Sequence, residues 1–260
     1  MRVPVPAWLK DFGTGLAVAG WLAASPAAAA ETGNVDRCVA LAADMSLGAP
    51  LPHTRDRLRE GKEITIVAFG SSSTIGVGTF GKSFPEVIKG ELSRLYPSLA
   101  VHVIISGKLF DTIPGNLQRI DHDVTRFQPD LVVWQLGTND VLWRGIAANA
   151  KELVRGGVQH IKASGADLIL MDLQYAPALH VRGSHADMEK LIADSAREEA
   201  VGLFPRYELM KRAHENGVSG LVAWDGLHNS GAGYRCIGLA LARMIDKSAR
   251  DTAPTKPGEL

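Results

Sequence analysis

The sequence predicts an α/β fold in which a five-stranded parallel sheet carries helices on both faces. Five short runs, ITIVAF (64–69), AVHVII (100–105), DLVVWQL (130–136), DLILMDL (167–173) and AVGLF (200–204), are apolar and β-branched almost throughout. Strands buried on both faces read this way, whereas half-exposed strands alternate. Helix-length segments separate most of these runs, and strand alternating with helix argues for parallel crossovers. The loops that follow the first four runs, GSSSTIG, SGKLFDT, GTND and QYAP, are polar or glycine-bearing. In an open parallel sheet such loops converge on one crevice at the C-terminal edge, where ligands bind.

The composition fits a soluble globular domain: 260 residues, 46% hydrophobic and 22% charged. Lys plus Arg and Asp plus Glu are 28 each, so the chain has no overall field to draw nucleic acid or an anionic membrane.

Residues 1–30 have the layout of a secretory signal peptide. Arg2 and Lys10 precede an apolar stretch from about Phe12 to Ala24, and Pro26 and a run of alanines lead to a cleavage site near Ala30. Asp11 is the one residue at odds with this layout. The stretch is shorter than the roughly twenty residues needed to cross a bilayer. The alternative is a retained anchor helix. Cleavage predicts a secreted or periplasmic protein, without stable membrane insertion and with a formal charge of −1, because Arg2, Lys10 and Asp11 are lost.

An N-terminal arm (31–62) follows and contains Cys38. Cys38 and Cys236 are the only cysteines, and in an oxidising compartment they are expected to pair and tie the arm to the last helix. The main domain spans 63–247. Its expected helices are SFPEVIKGELSRLY, the residues around 115–128, AANAKELVRGGVQHIKASG, SHADMEKLIADSAREEA with Ser184 as N-cap, and GYRCIGLALARMID. The polar, proline-bearing tail from Ser248 (248–260) is expected to be disordered.

The loop after the first strand admits more than one chemistry. Gly76–Ser83, GVGTFGKS, matches the phosphate-binding pattern GxxxxGK[ST], and Asp172 ends a strand as a magnesium-binding aspartate would. A phosphate loop, however, begins where its strand ends, and six residues separate Phe69 from Gly76. An exported protein would also meet little ATP. A flavin carrier holding its phosphate on the Ser/Thr loop explains FGSSSTIG but leaves DGLH (225–228) idle.

The nucleophile reading uses GSSSTIG, SGKLFDT, GTND and DGLH together. A serine becomes reactive beside a histidine oriented by a carboxylate. Asp225 and His228 supply that pair just before the last helix. Acyl transfer also needs donors aimed at the oxyanion. Asn139 of GTND offers a side-chain amide, and Gly107 a backbone N–H that no side chain obstructs.

In these blocks the sequence resembles the SGNH hydrolases, also called GDSL esterases and lipases. GSSSTIG is similar to the family's GDSxTxG, GTND to GxND and DGLH to DxxH. The resemblance spans Phe69 to His228. It implies a flavodoxin-like three-layer α/β/α sandwich with Ser72 as nucleophile, Asp225 and His228 completing a triad, and an oxyanion hole from the Ser72 N–H, Gly107 and Asn139. It further implies ester hydrolysis without metal or organic cofactor. Two departures stand out. Ser71 replaces the usual aspartate, which leaves Ser71 and Ser73 as competitors on spacing alone. The second block often reads NxGxxGxT; aligned on Thr112 it makes Phe110 the oxyanion residue, and aligned on Ser106-Gly107 it makes it Gly107.

The expected substrate is a small-molecule or saccharide ester, with a short acyl group such as acetyl. An acyltransferase and a carbohydrate-binding protein on the same fold are the alternatives, and a phosphate-loop nucleotide-binding protein is a remote one. Trp134, Trp143 and Tyr175 lie near the site loops and are candidates to line the pocket, although core packing is the better explanation for each.

Overall fold

The computed structural model describes residues 26–79 and 82–250. The expected signal segment before Pro26, Phe80 and Gly81 of the GVGTFGKS stretch, and the tail from Asp251 lie outside the described residues. The elements run α1 (Pro26–Ala40), α2 (Pro52–Glu60), β1 (Glu63–Gly70), α3 (Ser72–Ile75), α4 (Phe84–Leu95), β2 (Ala100–Gly107), α5 (Ile113–Leu117), α6 (Ile120–Asp123), β3 (Leu131–Gln135), α7 (Ala150–Ala163), β4 (Asp167–Met171), α8 (Pro177–His180), α9 (His185–Glu198), β5 (Gly202–Phe204), α10 (Arg206–Glu215) and α11 (Gly231–Arg250). A π-helical turn (Asp140–Arg144) follows β3. No helix among the described residues is long and apolar enough to cross a membrane.

The strands form one parallel sheet in the order β2-β1-β3-β4-β5. Because successive side chains point to opposite faces, each apolar strand feeds two cores. Ile64, Ile66, Ala68, Val133, Ile169 and Met171 pack under α1, α2, α4, α10 and α11. Val67, Phe69, Val132, Trp134, Leu168 and Leu170 pack under α5, α6, α7 and α9. The three layers follow directly from apolar runs that do not alternate.

Three expected boundaries change. The segment around 115–128 is not one helix: α5, α6 and a 3₁₀ turn at Thr125–Phe127 replace it, broken at Val124 (φ −131, ψ −70) and ended by Gln128 in the left-handed region. AVGLF contributes only Gly202–Phe204 to the sheet, because Ala200 takes φ +52 in the turn that closes α9. α11 runs on through Arg250, into the tail expected from Ser248. The expected cleavage point near Ala30 falls within α1.

Cys38 in α1 and Cys236 in α11 form a disulfide, with Cα atoms 5.9 Å apart and both residues fully buried. The expected tie between the arm and the last helix is present.

Candidate active site

The loop after β1 places its three serines in different surroundings. Gly70 ends the strand where a Cβ would lie 2.6 Å from both the Gln135 carbonyl oxygen and Thr74 Oγ1, so only glycine fits. Ser71 is buried, and its N–H and hydroxyl both donate to Gln135 Oε1 (3.1 and 2.9 Å). Ser73 is buried too. Ser72 opens the single turn of α3, and its Oγ lies 2.8 Å from His228 Nε2. Burial thus separates three residues that spacing alone could not.

The DGLH stretch sits in a short hairpin closed by the Val222–Asn229 bridge and by the Ala223 N–H to the His228 carbonyl (2.8 Å). One carboxylate oxygen of Asp225, Oδ1, accepts the backbone N–H groups of Leu227 and His228 (3.0 and 2.9 Å). The other, Oδ2, lies 2.6 Å from His228 Nδ1. The three-residue spacing has this physical meaning: Asp225 caps its own turn and orients the ring with the oxygen left over. Burial would raise its pKa, but the hydrogen bonds from the His228 ring and the two backbone N–H groups prevail and hold it below the ordinary carboxylate value.

The GVGTFGKS stretch has a packing role. β1 is followed by α3, not by Gly76. A Cβ on Gly78 (φ +99) would meet the Asn229 carbonyl at 2.8 Å and His228 Cβ at 3.2 Å. Ser83 begins α4 in a capping box with Glu86. Gly78 lets the loop lie against the histidine hairpin, and Gly76 lets it close on Ser83.

Asn139 and Gly107 stand at the ends of β3 and β2. Asn139 is buried, and one of its two amide hydrogens goes to the Asp111 carbonyl (2.7 Å). Gly107 pairs with Gly70 across the sheet, and a Cβ there would lie 2.5 Å from Ile75 Cγ1 and 2.7 Å from the Ser71 carbonyl. Its lack of a side chain therefore makes room for the Ser72 turn. Phe110 has φ +58 in the turn closed by Asp111 N–H to the Lys108 carbonyl (3.3 Å), a backbone region where bulky residues are outliers.

Arg119 was not visible as a site residue in the sequence, yet it braces the ends of β1 and β2 and the loop after β2. It donates to the Gly70 carbonyl (2.7 Å), the Ser106 carbonyl (3.1 Å) and Asp111 Oδ2 (2.6 Å), pairs with Asp123, and lies over the Phe69 ring. Asp111 also accepts from Asn116, whose Oδ1 accepts from Trp134 Nε1. A lysine cannot reproduce this fork. Arg119→Lys is expected to lower kcat by about tenfold to a hundredfold with KM little changed, as steady-state kinetics on a soluble ester would show.

Asp140 accepts the Ile113 N–H with both carboxylate oxygens (3.2 Å each), joining the GTND loop to α5. Burial, opposed by that bond and assisted by the charge of Asp111, pushes its pKa from 3.8 up to about 6. A folded value above the unfolded one means that the folded protein holds this proton more tightly. The stability it contributes is fully present below about pH 4 and is lost as pH rises through about 6. Relative to an Asp140→Asn variant, the wild type should therefore lose Tm between pH 4 and pH 7. A constant difference across that range would refute the assignment.

Comparison with known proteins settles the family. The model of the non-GDSL lipase-like family matches residues 33–251. The chain belongs to the non-GDSL lipase-like family. It is similar to the esterase TesA of Pseudomonas aeruginosa, with 31% identity over 166 residues, covering 64% of this chain and 78% of that protein. Among solved structures, a lipase/acylhydrolase from Enterococcus faecalis has a TM-score of 0.61 at 23% identity, covering 71% of this chain and 96% of the other. A variant of an acetyl xylan esterase from Geobacillus stearothermophilus gives a TM-score of 0.61 at 23% identity, over 70% and 94%. These folds are the three-layer sandwich that the resemblance implied. As a member of the non-GDSL lipase-like family, the chain is an ester hydrolase of the SGNH type.

Other residues of this family member lay beyond sequence reasoning. Gln135 was the one polar residue of the third apolar run beyond its leading Asp130, and that was its only signal. Gln174 accepts from Thr138 (3.0 Å) and buried Arg206 (2.8 Å) and donates to the Leu227 carbonyl (3.2 Å), joining the third and fourth loops to the histidine hairpin. Trp134 is wholly buried in the core, whereas Trp143 is exposed. Tyr175 packs among His180, Tyr207 and His214 and lines a cavity of about 320 Å³. Among the described residues no cluster of three or more His, Cys, Asp or Glu is arranged to hold a metal.

Proposed function

We propose that this chain is an exported serine hydrolase that cleaves small acyl esters through an acyl-enzyme. The observation that carries the reading is the continuous relay from Ser72 Oγ through His228 (2.8 Å to Nε2, 2.6 Å from Nδ1) to Asp225. His228 takes the Ser72 proton as Oγ attacks the ester carbonyl, then gives it to the departing alcohol as the C–O bond breaks. Water, deprotonated by the same histidine, attacks the acyl-enzyme and releases the acid and free Ser72.

The oxyanion is met by the Ser72 N–H, by the second amide hydrogen of Asn139 and by a backbone N–H from the loop after β2. For that last donor the geometry favours Phe110 over Gly107: the left-handed backbone at Phe110 matches the family's second glycine, while Gly107 has a packing reason of its own. The esterases on acetylated xylan and mannan among the similar folds support an acetylated saccharide as substrate. The disulfide supports export.

The test is a fluorophosphonate probe followed by peptide mapping, together with a panel of p-nitrophenyl esters and acetylated xylo-oligosaccharides. A single adduct on Ser72 and highest kcat/KM at acetyl are expected. An adduct elsewhere would overturn the nucleophile, and preference for long acyl chains would overturn the substrate class.

A further inference from the structure

Seven large apolar side chains are exposed among the described residues, and six of them, all but Ile105, lie on connections at the mouth of the crevice. Ile75 closes the Ser72 turn, Leu109 and Phe110 follow β2, Trp143 follows β3, Val181 follows α8, and Trp224 precedes Asp225. Trp224 is 96% exposed and Phe110 71%. The Ala178 N–H donates to the Gly226 carbonyl (3.0 Å), which sets the Trp224 hairpin beside the Val181 loop. A single exposed apolar residue needs no explanation, but a group collected around one opening marks an interaction site.

The exposed charges of the same connections, Asp225 apart, are basic. Lys108 precedes Leu109, Arg144 follows Trp143, Arg182 follows Val181, and Lys82 ends the loop after α3; all four are exposed. None of the four has an ion-pair partner among the described residues. The carboxylates there are buried, as at Asp111, Asp140 and Asp172, or engaged by the ring of His228, as at Asp225. In a chain of zero net charge this is a local excess of base.

We propose that the crevice mouth is a docking surface for an anionic lipid surface, on which the apolar side chains enter the headgroup boundary while the bases meet phosphates. Aromatic and aliphatic residues interleaved with Lys and Arg are the composition of interfacial binding. A glycan platform fits less well: Trp224, Phe110 and Trp143 offer flat faces to a sugar ring, but Ile75, Leu109 and Val181 do not, and four unpaired cations find no partner in neutral hydroxyls. Docking is peripheral and reversible, and it turns the Ser72 opening toward the surface. It is independent of catalysis.

The experiment is sedimentation of the full chain with phosphatidylglycerol or phosphatidylcholine vesicles at low and high salt. Two variants are compared, one with Leu109→Ser, Trp143→Ser and Val181→Ser, the other with Lys108→Gln, Arg144→Gln and Arg182→Gln. The wild type and Ser72→Ala should bind phosphatidylglycerol and release it in salt. Each base contributes about fivefold to partitioning, so the second variant should bind on the order of a hundredfold more weakly. Both variants should keep wild-type turnover of a soluble p-nitrophenyl ester, which separates lost docking from lost folding or lost catalysis. Vesicle binding undiminished in both variants, no binding by the wild type, or Trp143-dependent retention on acetylated xylan with no affinity for vesicles would overturn the proposal.

Discussion

Ser72→Ala is expected to lower kcat/KM for a p-nitrophenyl ester by a factor on the order of 10⁴ or more and to abolish fluorophosphonate labelling. The magnitude follows from removing the only side chain in the Ser/Thr loop that reaches His228 Nε2 (2.8 Å). Triad members act as a unit, so losing one forfeits nearly the whole covalent route and leaves what the oxyanion donors supply. The neighbouring serines provide the control. Ser71→Ala should stay within about tenfold of wild-type kcat and lose about 1 to 2 kcal/mol of stability, because Gln135 Oε1 would lose one buried partner and retain the Ser71 N–H. Ser73→Ala should also remain active. If either of these variants were inactive while Ser72→Ala turned over normally, the nucleophile would be misplaced.

Loss of the Cys38–Cys236 bond should have the largest effect on stability. The bond closes a loop with a sequence separation of 198 residues. In the chain-entropy account a loop of that length gives about 5 kcal/mol, near the top of the range found for disulfides. Both cysteines are fully buried between α1 and α11, so alanine replacements add little polar penalty. Denaturant titration of the Cys38→Ala, Cys236→Ala double variant, and of wild type under reductant, should each show a loss of about 3 to 5 kcal/mol. Activity should persist wherever these forms remain folded, because neither cysteine touches the Ser72–His228–Asp225 relay. A loss below about 1 kcal/mol would mean that the reduced chain is already held by the α1–α11 contact.

The sequence made β1, β3 and β4 legible because strands buried on both faces admit few polar residues; β2 reads the same way but is an edge strand in which only Val101 is buried, so its expected burial on both faces is not found. Gln135 is the polar residue fully buried within a strand, and it sits where the strand meets the site. The helices were harder. α2, PHTRDRLRE, buries only Thr54 and Leu58, and α10 is also rich in charge, so neither offers the broad apolar stripe by which a helix is read. The pieces between Ile113 and Phe127 are short because their own residues answer to other elements: Arg119, between α5 and α6, reaches Gly70 and Ser106, and the Ile113 N–H goes to Asp140. Ser72, His228 and Asp225 were readable because a local spacing fixes Asp225 against His228. Arg119 and Gln174 were not, since Arg119 reaches the carbonyl oxygens of Gly70 and Ser106 and Gln174 the Thr138 hydroxyl, the Arg206 guanidinium and the Leu227 carbonyl, neighbours that only the folded chain brings together.

The bond between Cys38 and Cys236 encloses both Ser72 and His228 in one covalent ring. Any single cut by an external protease between those cysteines, whether in the glycine-bearing loop after α3 or the hairpin before α11, leaves two fragments that cannot diffuse apart. A nicked molecule migrates as one species until it is reduced, and its two halves remain at an effective concentration that favours closing again around the crevice. Cleavage of the backbone and loss of the enzyme then become separate events, which is of use to a chain exported as proposed above.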